Sequence, residues 1–304
     1  HTAYRRQRQM CIRDRPCTLP IMTNEQTSET ATQETPKISQ LPKPTALKPL
    51  ALSASRANDF RQCPLLYRFR SIDRFPEPTT EAQFKGTVVH AVFERLFDLP
   101  LAERIPSAAI DLLPTIFREL HAKEDTSVIP QEEERRFLND CAALIFNYYR
   151  VEDPCRFDPA GREKYVHVML PDNTPVRGFI DRLDIAPTGE VRIVDYKTGK
   201  KPLPRYAGSV KFQMRLYSLM YWRIYGALPD QMKLIYLKTG ETMISQPSIP
   251  DLIDTEKEVV DLWNRVRKCG VNGDFPTQKS KLCGWCAFQP VSYTHLTLPT
   301  ICSV

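Results

Sequence analysis

The segment "GFIDRLDIAPTGEVRIVDYKTGK", residues 178–200, constrains this chain more than any other stretch. Two apolar, β-branched runs flank the turn-prone "APTG", the pattern of a strand, a turn and a strand. Inside those runs sit Asp181, Asp184, Asp195 and Lys197. A charged group in a buried strand costs several kcal/mol unless it is paired or binds a metal. Residues two apart share a strand face, so Asp195 and Lys197 project together, in line with Val191 and Ile193. Asp181 holds the matching point of the preceding strand. Asp184 faces away from it by parity and is expected to be structural. Neighbouring carboxylates repel and call for a cation. Hard oxygen ligands with open positions suit Mg2+ or Mn2+, which keep waters and bind phosphate. Beside such an ion, Lys197 is suited to orient and deprotonate a water and to stabilise a phosphorane-like transition state.

The surrounding pattern predicts an α/β fold, a mixed central sheet flanked by helices. Ser53 or Ser55 is expected to cap a short helix that Pro64 interrupts. "EAQFKGTVVHAVFERLF" is amphipathic, with Val89, Val92, Phe93, Leu96 and Phe97 at helical spacing. Two more helical patterns, about 107–122 and 131–149, lie in a helical insert spanning about 100–160. Strands are expected near 163–170, 175–184 and 190–197, a helix at 210–225, a strand at 231–238 and a helix at 251–268. No P-loop is present, because "TGK" at 198–200 lacks the upstream glycine and the downstream Ser or Thr.

Both ends differ from this body. "RQRQMCIRDR" and "VSYTHLTLPT" resemble translated sequencing-adapter sequence, so residues 1–15 and 291–304 are set apart from the fold. Residues 16–50, rich in Thr, Pro, Gln and Glu, complete a leader over 1–50 that is expected to be disordered, and leave 51–290 as the globular domain. Of the net charge of +6, residues 1–15 supply +4 through five arginines and one aspartate, which leaves about +2 for the rest. Global basicity therefore says little about a nucleic-acid partner. Local charge says more: between Tyr196 and Arg215 lie six basic residues and no acidic one. Lys200, Lys201, Arg205, Lys211 and Arg215 are the candidate DNA contacts in that run, which otherwise is an ordinary solvated face. Apolar runs such as "CAALIFNYY" fall short of a membrane span, and without a secretory signal a cytoplasmic location is expected.

"GFID" followed by "VDYK" resembles the nuclease core of the PD-(D/E)XK superfamily, most closely its RecB-type exonuclease branch. Three further features match that branch in order. "GTVVHAVFERL" resembles its upstream histidine helix, which implies His90 as a metal ligand or phosphate contact. Glu163 resembles the acidic residue ahead of the metal aspartates. "QMRLY" resembles the Q-x-x-x-Y element, with Gln213 and Tyr217 one helical turn apart beside the site. The resemblance covers about residues 50–290. It implies that His90, Asp181, Asp195 and the backbone carbonyl of Tyr196 hold Mg2+ or Mn2+, and that Lys197 assists the attacking water. The implied activity is exonuclease action on single-stranded DNA in repair or recombination, with a separate helicase as partner.

Nine cysteines in a chain read as cytosolic point to metal binding or burial rather than disulfides. Cys63 and the pair in "CGWC", Cys283 and Cys286, stand out. A C-x-x-C pair serves zinc, redox exchange or one side of an iron–sulfur cluster. Some RecB-like nucleases, AddB-type proteins and CRISPR adaptation nucleases among them, staple their two ends with a 4Fe-4S cluster. The resemblance then implies Cys63, Cys283 and Cys286 as three ligands and the fourth at position 292, which here is Ser292. The rival readings are a non-catalytic DNA-binding or scaffolding module on the same fold and a restriction-type endonuclease.

Overall fold

A computed structural model describes residues 49–123 and 128–292. The expected leader, 1–50, and tail, 291–304, lie outside the described residues except at 49–50 and 291–292. The described elements run α1 (Ala54–Gln62), α2 (Glu81–Leu96), α3 (Pro106–His121), α4 (Glu134–Tyr149), β1 (Gly161–Leu170), β2 (Thr174–Ile185), β3 (Val191–Lys197), α5 (Gly208–Tyr225), β4 (Gln231–Tyr236), β5 (Glu241–Ser245) and α6 (Ile249–Asn272). A short turn of helix, Pro64–Tyr67, continues α1 into the π-helical Arg68–Asp73.

The helices start where short polar side chains satisfy the first free N–H groups. Ser53 caps α1, its Oγ accepting from the Arg56 N–H at 3.3 Å. Thr80 and Gln83 form a reciprocal capping box that fixes the entry of α2. The apolar spacing of α2 then buries Val88, Val89, Val92, Phe93 and Leu96 on one stripe. Its other side stays polar and carries His90.

The sheet order is β1-β2-β3-β4-β5, antiparallel except for the parallel pair β3–β4 that α5 connects. It is a mixed sheet with a core on each face. On one face Ile180, Leu183, Ile193, Met232 and Leu234 pack with α1, α5 and α6. On the other, Val194, Tyr196, Ile235 and Leu237 pack with α2, α3 and α4. Two details depart from expectation. The fourth strand ends at Tyr236, and an unforeseen edge strand, β5, returns along it after a turn at Gly240. β5 is five residues long and half exposed, so "ETMIS" offers little apolar signal.

A second irregularity matters more. The β1–β2 ladder holds one register from Gly161↔Leu183 to Leu170↔Thr174 and is broken only at the rung that would join Glu163 to Asp181. Before that rung the even residues Val176 and Ile180 enter the α5 core; beyond it the odd residue Leu183 does. Alternation has slipped by one, and Glu163 takes the left-handed backbone, φ 43°. That conformation costs a non-glycine residue about 1–3 kcal/mol, and such strain collects at functional sites. The slip frees both carboxylates from ordinary sheet geometry.

Candidate active site

Asp181 lies one residue beyond the last β2–β3 ladder pair, Arg182↔Val194. Its Oδ2 accepts the Tyr196 N–H at 2.8 Å, continuing the sheet by a side chain. Burial and the adjacent charge of Asp195 push its carboxyl up to about 7, against the pull of His90. Asp195 is buried at the end of β3, and its Oδ1 accepts from Gln213 Nε2 at 2.8 Å. The amide oxygen of Gln213 accepts from Lys197 Nζ at 2.9 Å. An amide has one acceptor end and one donor end, so Gln213 is oriented with its oxygen on the lysine and its nitrogen on the aspartate. The same Nε2 lies 3.3 Å from the Tyr217 hydroxyl, whose phenol is held above its ordinary range by burial and by Asp195. Asp195 Oδ2 lies 2.7 Å from Lys197 Nζ, but out of hydrogen-bonding alignment.

His90 reaches the same place from α2. Its Nε2 lies 3.0 Å from the Tyr196 carbonyl, which only accepts, so Nε2 carries the proton. Nδ1 is then the ring atom that faces Asp181 Oδ2 at 3.5 Å and Glu163 Oε1 at 3.7 Å. Burial disfavours the imidazolium, but Asp181, Glu163 and Asp195 together outweigh it and hold the group at about 9. Among the described residues, His90, Glu163 and Asp181 offer donor atoms within 4.8 Å of one another. One nitrogen and hard carboxylate oxygens, crowded enough to raise a carboxyl, are a donor set that fits a divalent cation. Asp195 stands next to this group, held on the α5 side by Gln213. The expected ligand set thus divides. His90 and Asp181 meet with Glu163, and the Tyr196 carbonyl accepts from His90.

A sequence profile of the PD-(D/E)XK nuclease superfamily matches residues 51–291. The chain belongs to the PD-(D/E)XK nuclease superfamily. Its members are phosphodiester hydrolases that use divalent metals. The nuclease is 23% identical over 280 residues to the gene 69 protein of Mycobacterium phage L5, covering 77% of this chain and 93% of that one. It is 29% identical over 163 residues to one subunit of the ATP-dependent helicase/deoxyribonuclease of Streptococcus mutans, covering 50% of this chain and 14% of that much longer one. The crystal structure of a candidate exonuclease from Eubacterium rectale shares the fold, with TM-score 0.54, 15% identity and coverage of 82% and 93%.

Behind the candidate site lies a buried ionic cluster that sequence reasoning missed. Arg182 is fully buried and pairs with Glu152 at 2.7 Å and Asp184 at 3.0 Å. Its NH1 donates to the Tyr196 hydroxyl at 2.7 Å, while Lys233 pairs with Glu152 and Arg192 with Asp184. Asp184 is therefore structural, but through its pairs with Arg182 and Arg192 rather than through parity, which the slip at Asp181 breaks. The signal was present in the sequence: "DRLD" and "EVRI" carry two arginines among the strand acids.

The five candidate DNA contacts are exposed but do not act as one unit. Lys200 and Arg205 point to solvent in the loop after β3, with Arg205 over the Tyr206 ring at 4.8 Å. Lys201 donates to the Thr242 carbonyl at 3.1 Å. Lys211 and Arg215 sit on α5 two residues either side of Gln213, about 200° around the helix, and Arg215 pairs with Glu258 of α6 at 3.1 Å. The six cysteines among the described residues are free thiols. Cys63, Cys283, Cys286 and Ser292 line one cavity between the turn after α1 and the C-terminal segment. Three thiols and a hydroxyl fall one thiolate short of a four-cysteine cluster site. Among the described residues no helix is long and apolar enough to cross a membrane.

Proposed function

We propose that this nuclease is a metal-dependent exonuclease that degrades single-stranded DNA in repair or recombination, working in the cytoplasm beside a separate helicase. The observation that carries the reading is Gln213 joining Lys197 to Asp195, which stands beside the cluster of His90, Glu163 and Asp181. A catalytic lysine has to be held next to the acids it serves, and the Gln213 amide oxygen fixes Lys197 beside Asp195. Similarity to part of a helicase/deoxyribonuclease supports both the DNA substrate and the helicase.

His90, Glu163, Asp181 and Asp195, with the Tyr196 carbonyl, would hold Mg2+ or Mn2+, which when bound polarises the phosphoryl oxygen and lowers the pKa of its water. Lys197 then takes the proton of the attacking water or donates to the developing charge on the phosphoryl oxygens. Gln213 and Tyr217 keep Lys197 and Asp195 in that arrangement. His90, by donating to the Tyr196 carbonyl, fixes the chain that Asp181 also grips. Lys200 and Arg205 contact the phosphate backbone, with Lys201, Lys211 and Arg215 as more distant positive charges.

End-labelled single-stranded DNA incubated with Mn2+ tests the assignment. Asp195→Ala and Lys197→Ala should each lower the cleavage rate by about 10²–10⁴-fold. Equal digestion by wild type and both variants would overturn it. Circular single strands should survive, because an exonuclease needs an end. The cysteine cavity is a separate proposal: with cysteine at position 292 it would hold a 4Fe-4S cluster that ties the N-terminal arm to the C-terminal segment.

A further inference from the structure

Beyond the broken rung of Glu163 and Asp181, the same-parity positions of β1 and β2 continue as Tyr165↔Phe179, His167↔Arg177 and Met169↔Pro175. Among the described residues no helix covers this face. Tyr165 is 42% exposed, Phe179 47% and Met169 55%, on a ribbon whose opposite side is core. The two aromatic rings lean together with centroids 5.2 Å apart and planes at 56°. Large apolar side chains held at a surface mark a contact site rather than a packing need.

The chemistry of the face narrows the occupant. The six positions from Tyr165 to Met169 and Pro175 to Phe179 contain two basic residues, His167 and Arg177, and no acid. Arg56 lies close by, near enough for the charges of Arg177 and Arg74 to add to burial in disfavouring its guanidinium. Aromatic faces interleaved with cations are the combination that binds unpaired bases and their phosphates. The face also starts beside the candidate metal centre. Each two-residue step along a strand advances about 7 Å, so Tyr165 and Phe179 occupy the first step away from Glu163 and Asp181.

We propose that the outward face of β1 and β2 is a stacking platform that guides one unpaired nucleic-acid strand to the carboxylates, with a base on the Tyr165–Phe179 pair and a phosphate at Arg177. A duplex keeps its bases stacked on each other and offers no free face to these rings. The platform therefore makes single strands the preferred substrate. This inference rests on the nuclease reading of the adjacent site.

The test uses the full chain and a fluorescent oligothymidylate, with binding read by anisotropy in EDTA. Tyr165→Ala/Phe179→Ala should weaken binding about tenfold or more. Phe179→Trp, which keeps a ring, should retain it, and Arg177→Ala should reduce the salt slope of log Kd by about 1. Ile244→Ala, exposed on β5 away from the face, should bind as wild type does. With Mn2+, wild type should prefer a tetranucleotide to bis(p-nitrophenyl) phosphate by a wider margin than the double variant does. Wild-type affinity in the double variant, with circular dichroism unchanged, would overturn the platform and give the face to a protein partner. Failure of wild type to hydrolyse even the small diester with Mn2+ would overturn the nuclease reading and the platform together.

Discussion

At the residue scale the decisive side chain is Gln213, because its two amide ends tie Lys197 to Asp195. Removing such a support typically costs 10–100-fold in metal affinity or activity. Gln213→Ala should therefore lower kcat for single-stranded DNA by about that factor, with a smaller change in KM; steady-state kinetics would show the split. Gly178 supplies the space that lets the tyrosine of the same helix approach. A Cβ there would stand 2.8 Å from Tyr217 Cε1 and 3.1 Å from the Met220 methyl. Gly178→Ala should destabilise the protein by about 1–3 kcal/mol, read from urea unfolding, and should lower activity by displacing Tyr217. The motif residues were legible in the sequence because their spacing follows strand and helix periods. The left-handed backbone of Glu163 was not, since nothing in "GREKY" signals a positive φ at a glutamate.

At the scale of elements, β2 carries two charge systems on a strand whose alternation slips at Asp181. One system is the candidate metal centre; the other is Arg182 with Glu152, Asp184, Lys233 and Arg192, which ties α4 and its following turn to three strands. Breaking a buried ion pair by removing one partner costs about 3–5 kcal/mol, since the other charge stays buried. Glu152→Ala should lose that much in urea unfolding. Although burial alone would raise the Glu152 carboxyl, Arg182 and Lys233 hold it down at about 2, against an ordinary 4.5. A depressed carboxyl contributes stability that is complete above its unfolded value and is lost as pH falls through the folded one. Wild-type stability should therefore drop between about pH 4.5 and pH 2 in part through this group, and the Glu152→Ala profile should be flatter across that window. Sequence periodicity identified these strands but not this pairing, because Glu152 and Arg182 stand thirty positions apart.

At the scale of the whole molecule, the first described helix and the last described segment meet. The turn after α1 and the segment carrying Cys283 and Cys286 enclose one cavity that Ser292 also lines. Replacing Ser292 with cysteine should complete a four-thiolate set. After anaerobic reconstitution, the Ser292→Cys protein should bind iron and sulfide and take on brown colour, whereas the parent chain should bind less iron. Equal iron in both would show that position 292 is not a ligand. The sequence by itself determined the α/β class and the order of the main elements and singled out the candidate site residues, because these depend on local periods and on side-chain types at short spacing. Only the tertiary structure decided which carboxylates gather about His90, which way Gln213 is oriented, and that a fully buried arginine backs the site. Those outcomes depend on how strands 161–170, 174–185 and 191–197 register and where their alternation fails. Register is a contact between distant segments, and no local period encodes it.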